Sequence, residues 1–453
     1  MISRRRWFPV ALAPAAAPRL EAAQAPSSRG LAARIRAAVD AIKVVSSHEH
    51  IIPEQERVSQ SVDFFTLAGH YAINDVISAG MAPEAASAKG LTAEERWRAF
   101  EPYWRHARFT GYGQALRIAI RDIYGIGEIS AATLPKINEA IARRNRPGLY
   151  RYVLKDRARI RYAVLDDYWN AAPVRPDPEF FVLARKFDRF ILPATASDVA
   201  ELEKLTGISI TSLNGLKQAM ERSFAQGLEA GMVAVKSTIA YNRELRFAET
   251  TEQAAAADFL RLMRGEVKLP EGFRGRIDRP FRALEDHMFH HLMRLADAHR
   301  LPVQLHTGIL AGNGAFITNT NPVGLTNLFY LYPRLPFDLF HIGYPYQNEL
   351  AALAKLFPNV HVDFCWAHII SPVAAGAALE EMLETVPVNK ILGFGGDYRY
   401  PELSYAHLEM ARRNIARVLA GKVEEGVCTE DEAAEMARLL LAENAARLFS
   451  PKS

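Results

Sequence analysis

Short apolar runs recur along this chain, several of them breaking off at a histidine, lysine or aspartate, with helical stretches between them. This alternation constrains the fold more than any other feature. The runs fall at 43–47, 161–165, 190–193, 232–235, 302–305, 337–340, 360–364 and 391–394. Helical spacing of apolar residues marks 31–42, 211–230, 252–264, 280–299, 349–356 and 444–449. Strands that alternate with helices argue for a parallel sheet with crossover helices. Eight such units suit a closed (β/α)8 barrel better than an open sheet, and a barrel of this kind does its chemistry at the C-terminal ends of its strands. Residues from about 54 to 158 carry no comparable strand pattern. Helical spacing at 93–103 and 137–144 predicts a helical insertion after the first strand.

The 453 residues suffice for one large barrel with that insertion, spanning 30–453. A net charge of +4 is small for this length and gives no reason to expect nucleic acid or an anionic membrane as partner. A small-molecule substrate is the expected partner, and a homo-oligomer is compatible with the sequence. Cys365 and Cys428 are the only cysteines, so any metal is held by nitrogen and oxygen rather than by a thiolate cluster. Residues 1–29 read as a leader. Arg4-Arg5-Arg6 precedes a weakly apolar stretch and Ala23-Gln24-Ala25, a pattern that suits a twin-arginine export signal with a cleavage site, or equally a basic leader without structure. The first implies an exported or periplasmic protein, the second a cytoplasmic one.

The polar strand ends carry the chemistry. Side chains alternate along a strand, so in His48-Glu49-His50 the two histidines share a face and Glu49 points away. Two imidazoles at a barrel mouth make a divalent-metal pair. His306 ends the fifth run before Thr307-Gly308, His341 ends the sixth before Ile342-Gly343, and Asp397 follows Gly395-Gly396 after the eighth. Singly, each reads as well as a strand cap or helix cap; together at strand ends they are hard to explain so. Lys236 ends the fourth run and Asp166-Asp167 the second. Arg243, Arg399 and Tyr344 follow the fourth, eighth and sixth runs and are expected to rim the site, where arginine suits a substrate carboxylate; Asp167 joins them as a candidate substrate contact. His287, His290 and His291 lie on a helix without a ligand pattern. His368 reads more readily as structural.

The order HxH, His, His, Asp resembles the amidohydrolase superfamily over about residues 40–450, outside the insertion. Within it, the chain is similar to the amidohydrolase-related branch, including the amidohydrolase-like half of certain fungal fusions to glutamine synthetase. That likeness lies in Gln304-Leu305-His306-Thr307-Gly308, in 341–346, in Phe357-Pro358-Asn359-Val360 and in 387–397. Uronate isomerases share parts of it, including a large insertion after the first strand and an aspartate pair comparable with Asp166-Asp167. The resemblance implies metal ligation by His48, His50, His306, His341 and Asp397. It implies one or two divalent ions, for which zinc suits the ligands. It also implies that Lys236, if carboxylated, bridges two of them; an ordinary lysine that binds a substrate carboxylate or pairs with Asp166 or Asp167 fits as well.

The expected activity is metal-dependent hydrolysis of an amide or ester-like bond in a small carboxylate-bearing substrate. Asp397 would take the proton of the attacking water and His341 would help polarise the carbonyl. Isomerisation of a sugar acid of the uronate type, and non-oxidative decarboxylation of an aromatic acid, are the alternatives that the same ligand set allows. The insertion and Asp166-Asp167 favour the isomerase, whereas Lys236 and the motifs around His341 and Asp397 favour hydrolysis.

Overall fold

The computed structural model describes residues 28–267 and 279–450; the proposed leader lies outside the described residues, apart from its last two positions. Eight parallel strands follow one another around a single sheet in chain order. They are β1 (Val44–Glu49), β2 (Ile160–Asp166), β3 (Phe181–Lys186), β4 (Met232–Ser237), β5 (Val303–Leu305), β6 (Phe337–Leu339), β7 (Val360–Asp363) and β8 (Ile391–Leu392). The ring closes through the segment after β8. Ser47 N–H donates to Phe394 O (3.0 Å), Asp397 N–H to His48 O (3.1 Å) and His50 N–H to Tyr398 O (3.0 Å). The last two of these bonds lash Asp397 beside the HxH pair.

Alternation along the strands sorts the barrel interior into layers. Val45, Val164, Ala184, Ala234 and Leu392 pack into a small apolar cluster with Ala445 and Phe449. The helix Asn444–Leu448 thereby plugs one end of the barrel. Two residues further along the strands, the same face carries Asp166, Lys186 and Lys236. A much larger core lies outside the strands, against helices such as Leu213–Glu229, Arg282–His299 and Pro401–Glu424.

One strand lies elsewhere than the sequence pattern suggests. The run at 190–193 is not β3: Phe190 and Ile191 end a single helical turn, Asp188–Ile191, and bury outside the sheet. The strand is Phe181–Lys186, in register with β2 through Asp166↔Ala184 and with β4 through Lys186↔Lys236. Its apolar stretch ends in Arg185-Lys186 behind a proline-rich loop, so it lacks the uninterrupted apolar character of its neighbours. Between β1 and β2 the described chain is helical, with its longest helices at Ala93–Ala107, Gly111–Tyr124 and Leu134–Arg144. The insertion is fixed to the barrel by Arg57, whose guanidinium meets the Glu402 carboxylate at 2.8 Å with both side chains fully buried. Among the described residues, no helix is long and apolar enough to cross a membrane.

Candidate metal centre

His48, His50 and Asp397 converge: His50 Nε2 lies 3.1 Å and His48 Nε2 3.7 Å from Asp397 Oδ1. Glu49 points the other way, accepting from Ser46 Oγ (2.9 Å) and Ser404 Oγ (2.5 Å). His306 and His341 meet with Nδ1 and Nε2 3.1 Å apart. The ligand atoms of His341 and Asp397 also fall in one close group, with Cys365 as its third member. Asp166 supplies a carboxylate 3.9 Å from both His48 Nε2 and His50 Nδ1.

The far nitrogen of each ring fixes what the near nitrogen can do. His50 Nδ1 lies 3.1 Å from Asp166 O, His306 Nε2 2.9 Å from Ile309 O and His341 Nδ1 2.8 Å from Cys365 O. Carbonyls only accept, so these nitrogens carry the protons. His48 Nδ1 faces Gln304 Oε1 at 3.2 Å and is a donor for the same reason. Four lone pairs are left facing one another and a carboxylate. Such an arrangement repels itself unless a proton or a cation sits among them. Burial drives the pKa of His48 and His306 well below the usual value and that of His341 down to about 4, so none of these three takes the proton at neutral pH. His50, which burial would lower, is raised instead by its bond to Asp397 and holds the one proton that a cation would displace. His48 Nε2 and both Asp166 carboxylate oxygens are buried without a hydrogen-bond partner. Orphaned acceptors around convergent imidazoles are what a divalent cation satisfies, and the second ring nitrogen bound to a carbonyl is the usual backing of such ligands. The residues therefore fit a metal ion. Burial also pushes the Cys365 thiol well up, which keeps it protonated and a poor ligand.

The backbone around the centre is strained. Tyr71, His341, Ile342, Trp366 and Asp397 all have φ between 50° and 78°, a region L-residues rarely occupy. Tyr71 comes from the insertion and was not foreseen. Its hydroxyl lies 2.7 Å from the Asp397 carbonyl and 3.0 Å from Asp397 Oδ2, so the carboxylate faces the histidines with one oxygen and Tyr71 with the other. Burial raises the Tyr71 pKa well above its usual value, so it stays a donor. Neighbouring His70 takes the Arg399 N–H on Nδ1 (3.4 Å), which leaves Nε2–H as its donor; burial lowers its pKa to about 3.

A cavity of about 560 Å³ opens on this centre. His50, His306 and Asp397 line it together with His70, Tyr71, Tyr168, Lys186, Lys236 and Tyr241. Lys236 Nζ lies over the Phe340 ring, 3.3 Å from its centroid, and Lys186 Nζ lies 3.7 Å from Asp166 Oδ2. Other expected rim residues are placed differently. Arg243 is buried between Glu285 (2.9 Å) and Asp286 (2.6 Å), its charge spent inside the fold, so it does not rim the site. Asp167 pairs with Arg185 at 2.9 Å and lines a separate cavity with Trp169 and Tyr150. Tyr344 and Arg399 are not among the lining residues, though Arg399 adjoins His70. His368 is structural, held by Gly393 O (3.1 Å) and Asn414 (3.2 Å).

Fold and site together define a (β/α)8 barrel with a histidine–aspartate cluster that fits a metal at the C-terminal ends of its strands. Residues 232–450, from β4 onward, match the family model described as Amidohydrolase. It is 33% identical over 149 residues to protein fluG of Emericella nidulans, a match covering 33% of this chain and only 17% of that one. It is 25% identical over 465 aligned positions to the uronate isomerase of Brucella canis, covering 91% of this chain and 94% of that one. Among solved structures, the uronate isomerase of Thermotoga maritima superposes with a TM-score of 0.78 at 18% identity, over 92% of this chain and 97% of that one.

Proposed function

We propose that the protein is a metal-dependent isomerase of sugar acids of the uronate type. The observation that carries this reading is the extent of the kinship. It spans 91% of the chain, insertion included, and the insertion supplies His70 and Tyr71 to the cavity. A divalent ion, with zinc as the proposed metal, would be held by His48, His50 and Asp397, with His306 and His341 as further candidate ligands. It would supply positive charge to the substrate oxygens as negative charge develops on them. Lys236 acts as an ammonium rather than a bridging carbamate, in keeping with its place over the Phe340 ring.

Aldose–ketose isomerisation moves one proton from the carbon beside the carbonyl to the carbonyl carbon and a second from the hydroxyl oxygen to the carbonyl oxygen, through an enediol. Asp397, whose Oδ1 lies 3.1 Å from His50 Nε2 and 3.7 Å from His48 Nε2, is the anionic group at the reacting end. His70 offers an N–H donor to the sugar oxygens, while Tyr71, its one proton given to Asp397, holds that carboxylate in place. Lys186 and Lys236 take the substrate carboxylate, the role the sequence had suggested for the arginines. Hydrolysis remains the second reading, favoured by the family match over the second half of the barrel. The two are separated by incubating the metal-loaded protein with glucuronate and galacturonate in D2O. Isomerisation gives a ketose in the NMR spectrum with deuterium incorporated at one carbon. Absence of ketose together with turnover of N-acyl amino acids or lactones would replace this reading with hydrolysis.

A further inference from the structure

His48 is backed differently from the other three histidines. Their protonated nitrogens rest on backbone carbonyls, whereas His48 Nδ1 rests on a side chain, Gln304 Oε1. The orientation of that amide is dictated by its surroundings. Gln304 Nε2 lies 2.9 Å from Ser47 O and 3.1 Å from Asp338 Oδ2, two acceptors that use both of its hydrogens. Its oxygen has no choice but to face His48, and His48 Nε2 is thereby left as a lone pair toward Asp397. Asp338, kept protonated by burial and by the charge of Asp363, donates in turn to Asp363, which accepts the Cys365 N–H at 2.7 Å. Gln304, Asp338 and Asp363 are fully buried, on three adjacent strands. None of the three lines the cavity, so none serves as a substrate contact. A buried polar chain is costly unless every member is satisfied, and this one ends on a metal-site imidazole.

We propose that Gln304, backed by the Asp338–Asp363 pair, is the positioning residue that locks the His48 tautomer and thereby sets the affinity of the centre for its cation. The inference rests on the metal reading above, but not on which reaction the centre performs.

The test is zinc affinity, measured by competition with a chromophoric chelator, alongside the melting temperature of the metal-free protein. Gln304→Leu removes the acceptor and keeps the bulk. It should weaken zinc binding by about 10- to 100-fold, the usual effect of losing the partner of a metal-bound histidine. Gln304→Glu keeps an acceptor facing Nδ1–H but loses the donors to Ser47 O and Asp338, so its affinity should fall between that of wild type and that of the leucine variant. Asp338→Ala, which removes the acceptor of the Gln304 amide, covers the case in which the leucine variant does not fold. It should lower affinity several-fold in metal-free protein that still melts cooperatively, whereas Asp338→Asn, which keeps an acceptor toward Gln304 and a donor toward Asp363, should stay near wild type. Wild-type affinity in Gln304→Leu, equal losses in the Leu and Glu variants, or unchanged affinity in Asp338→Ala would each overturn the proposal. A wild-type protein that binds no zinc would overturn both this inference and the zinc-centre reading beneath it, whereas a tightly binding wild type with indifferent variants sinks the inference alone.

Discussion

Tyr71 sits with φ 78° inside a cage of His70, Tyr112, Trp366 and Tyr398, their ring centroids 4.2–5.2 Å away. Strain of this kind costs about 1–3 kcal/mol and persists only where the surroundings enforce it. What it secures here is the hydroxyl on Asp397. Tyr71→Phe keeps the cage and removes only that hydroxyl. Stability should fall by about 1 kcal/mol, the net worth of one hydrogen bond. Zinc affinity should hold within a few-fold, while kcat should drop by about 10²-fold, as expected when the carboxylate that moves the proton loses the bond that orients it. Steady-state kinetics at matched metal content check this. A variant with wild-type kcat would reduce Tyr71 to a packing residue. The histidines and Asp397 were legible in the sequence because each ends a strand, where a barrel exposes its chemistry. Tyr71 was not, because its partner lies 326 positions away and nothing local distinguishes it from the core aromatics of a helical segment.

Seven of the eight strands lie where the alternating pattern puts them. The eighth, β3, was obscured because its last two residues, Arg185 and Lys186, are charged: one pairs with Asp167 and the other points into the cavity. Function at a strand end erased the apolar signal that would have announced the strand. The reverse error concerns Arg243, whose position after β4 suggested a rim but whose partners, Glu285 and Asp286, come from a helix far along the chain. Charge partners across elements are invisible to spacing. The insertion depends on a similar buried partnership. Glu402, on the helix Pro401–Glu424, accepts from Arg57 (2.8 Å) and from Tyr124 Oη (2.6 Å), two residues of different insertion helices. Removing one member of a fully buried pair strands the other charge, at a cost of about 3–5 kcal/mol. Glu402→Ala should therefore lower the urea midpoint by that equivalent and speed amide exchange in Gly111–Tyr124, the helix that carries Tyr112 against Tyr71. A loss under about 1 kcal/mol, with exchange unchanged, would mean that apolar packing alone holds the insertion.

The whole barrel is divided into an apolar plug at one end and a polar, metal-seeking mouth at the other, and the division leaves several histidines buried with no metal role. His361 at β7, His368 beyond it and His407 on the helix Pro401–Glu424 have pKa values lowered to about 4, about 4 and about 3, by burial first in each case. For His361 the charges of Lys390 and Arg447 add to the effect, and for His407 that of His368. Unfolded, each would titrate near 6.5. The unfolded chain thus binds protons that the folded chain refuses, so stability is full above pH 6.5 and is lost as pH falls through 6.5 toward 4. A shift of that size corresponds to roughly 3 kcal/mol per histidine. The three do not simply add, since the rings of His368 and His407 stand 5.9 Å apart and influence each other. Their joint effect is nonetheless comparable with the ~5–15 kcal/mol that holds a typical domain together. The protein should unfold cooperatively on acidification within this window. His361 tests the cause cleanly, because it lies away from the metal centre and shares no contact with it. Urea midpoints at pH 7, 6, 5 and 4.5 should fall steeply for wild type and less steeply for His361→Leu, the difference in slope amounting to about one proton taken up on unfolding. Parallel curves would show that His361 is already protonated in the fold, and that the acid sensitivity arises elsewhere.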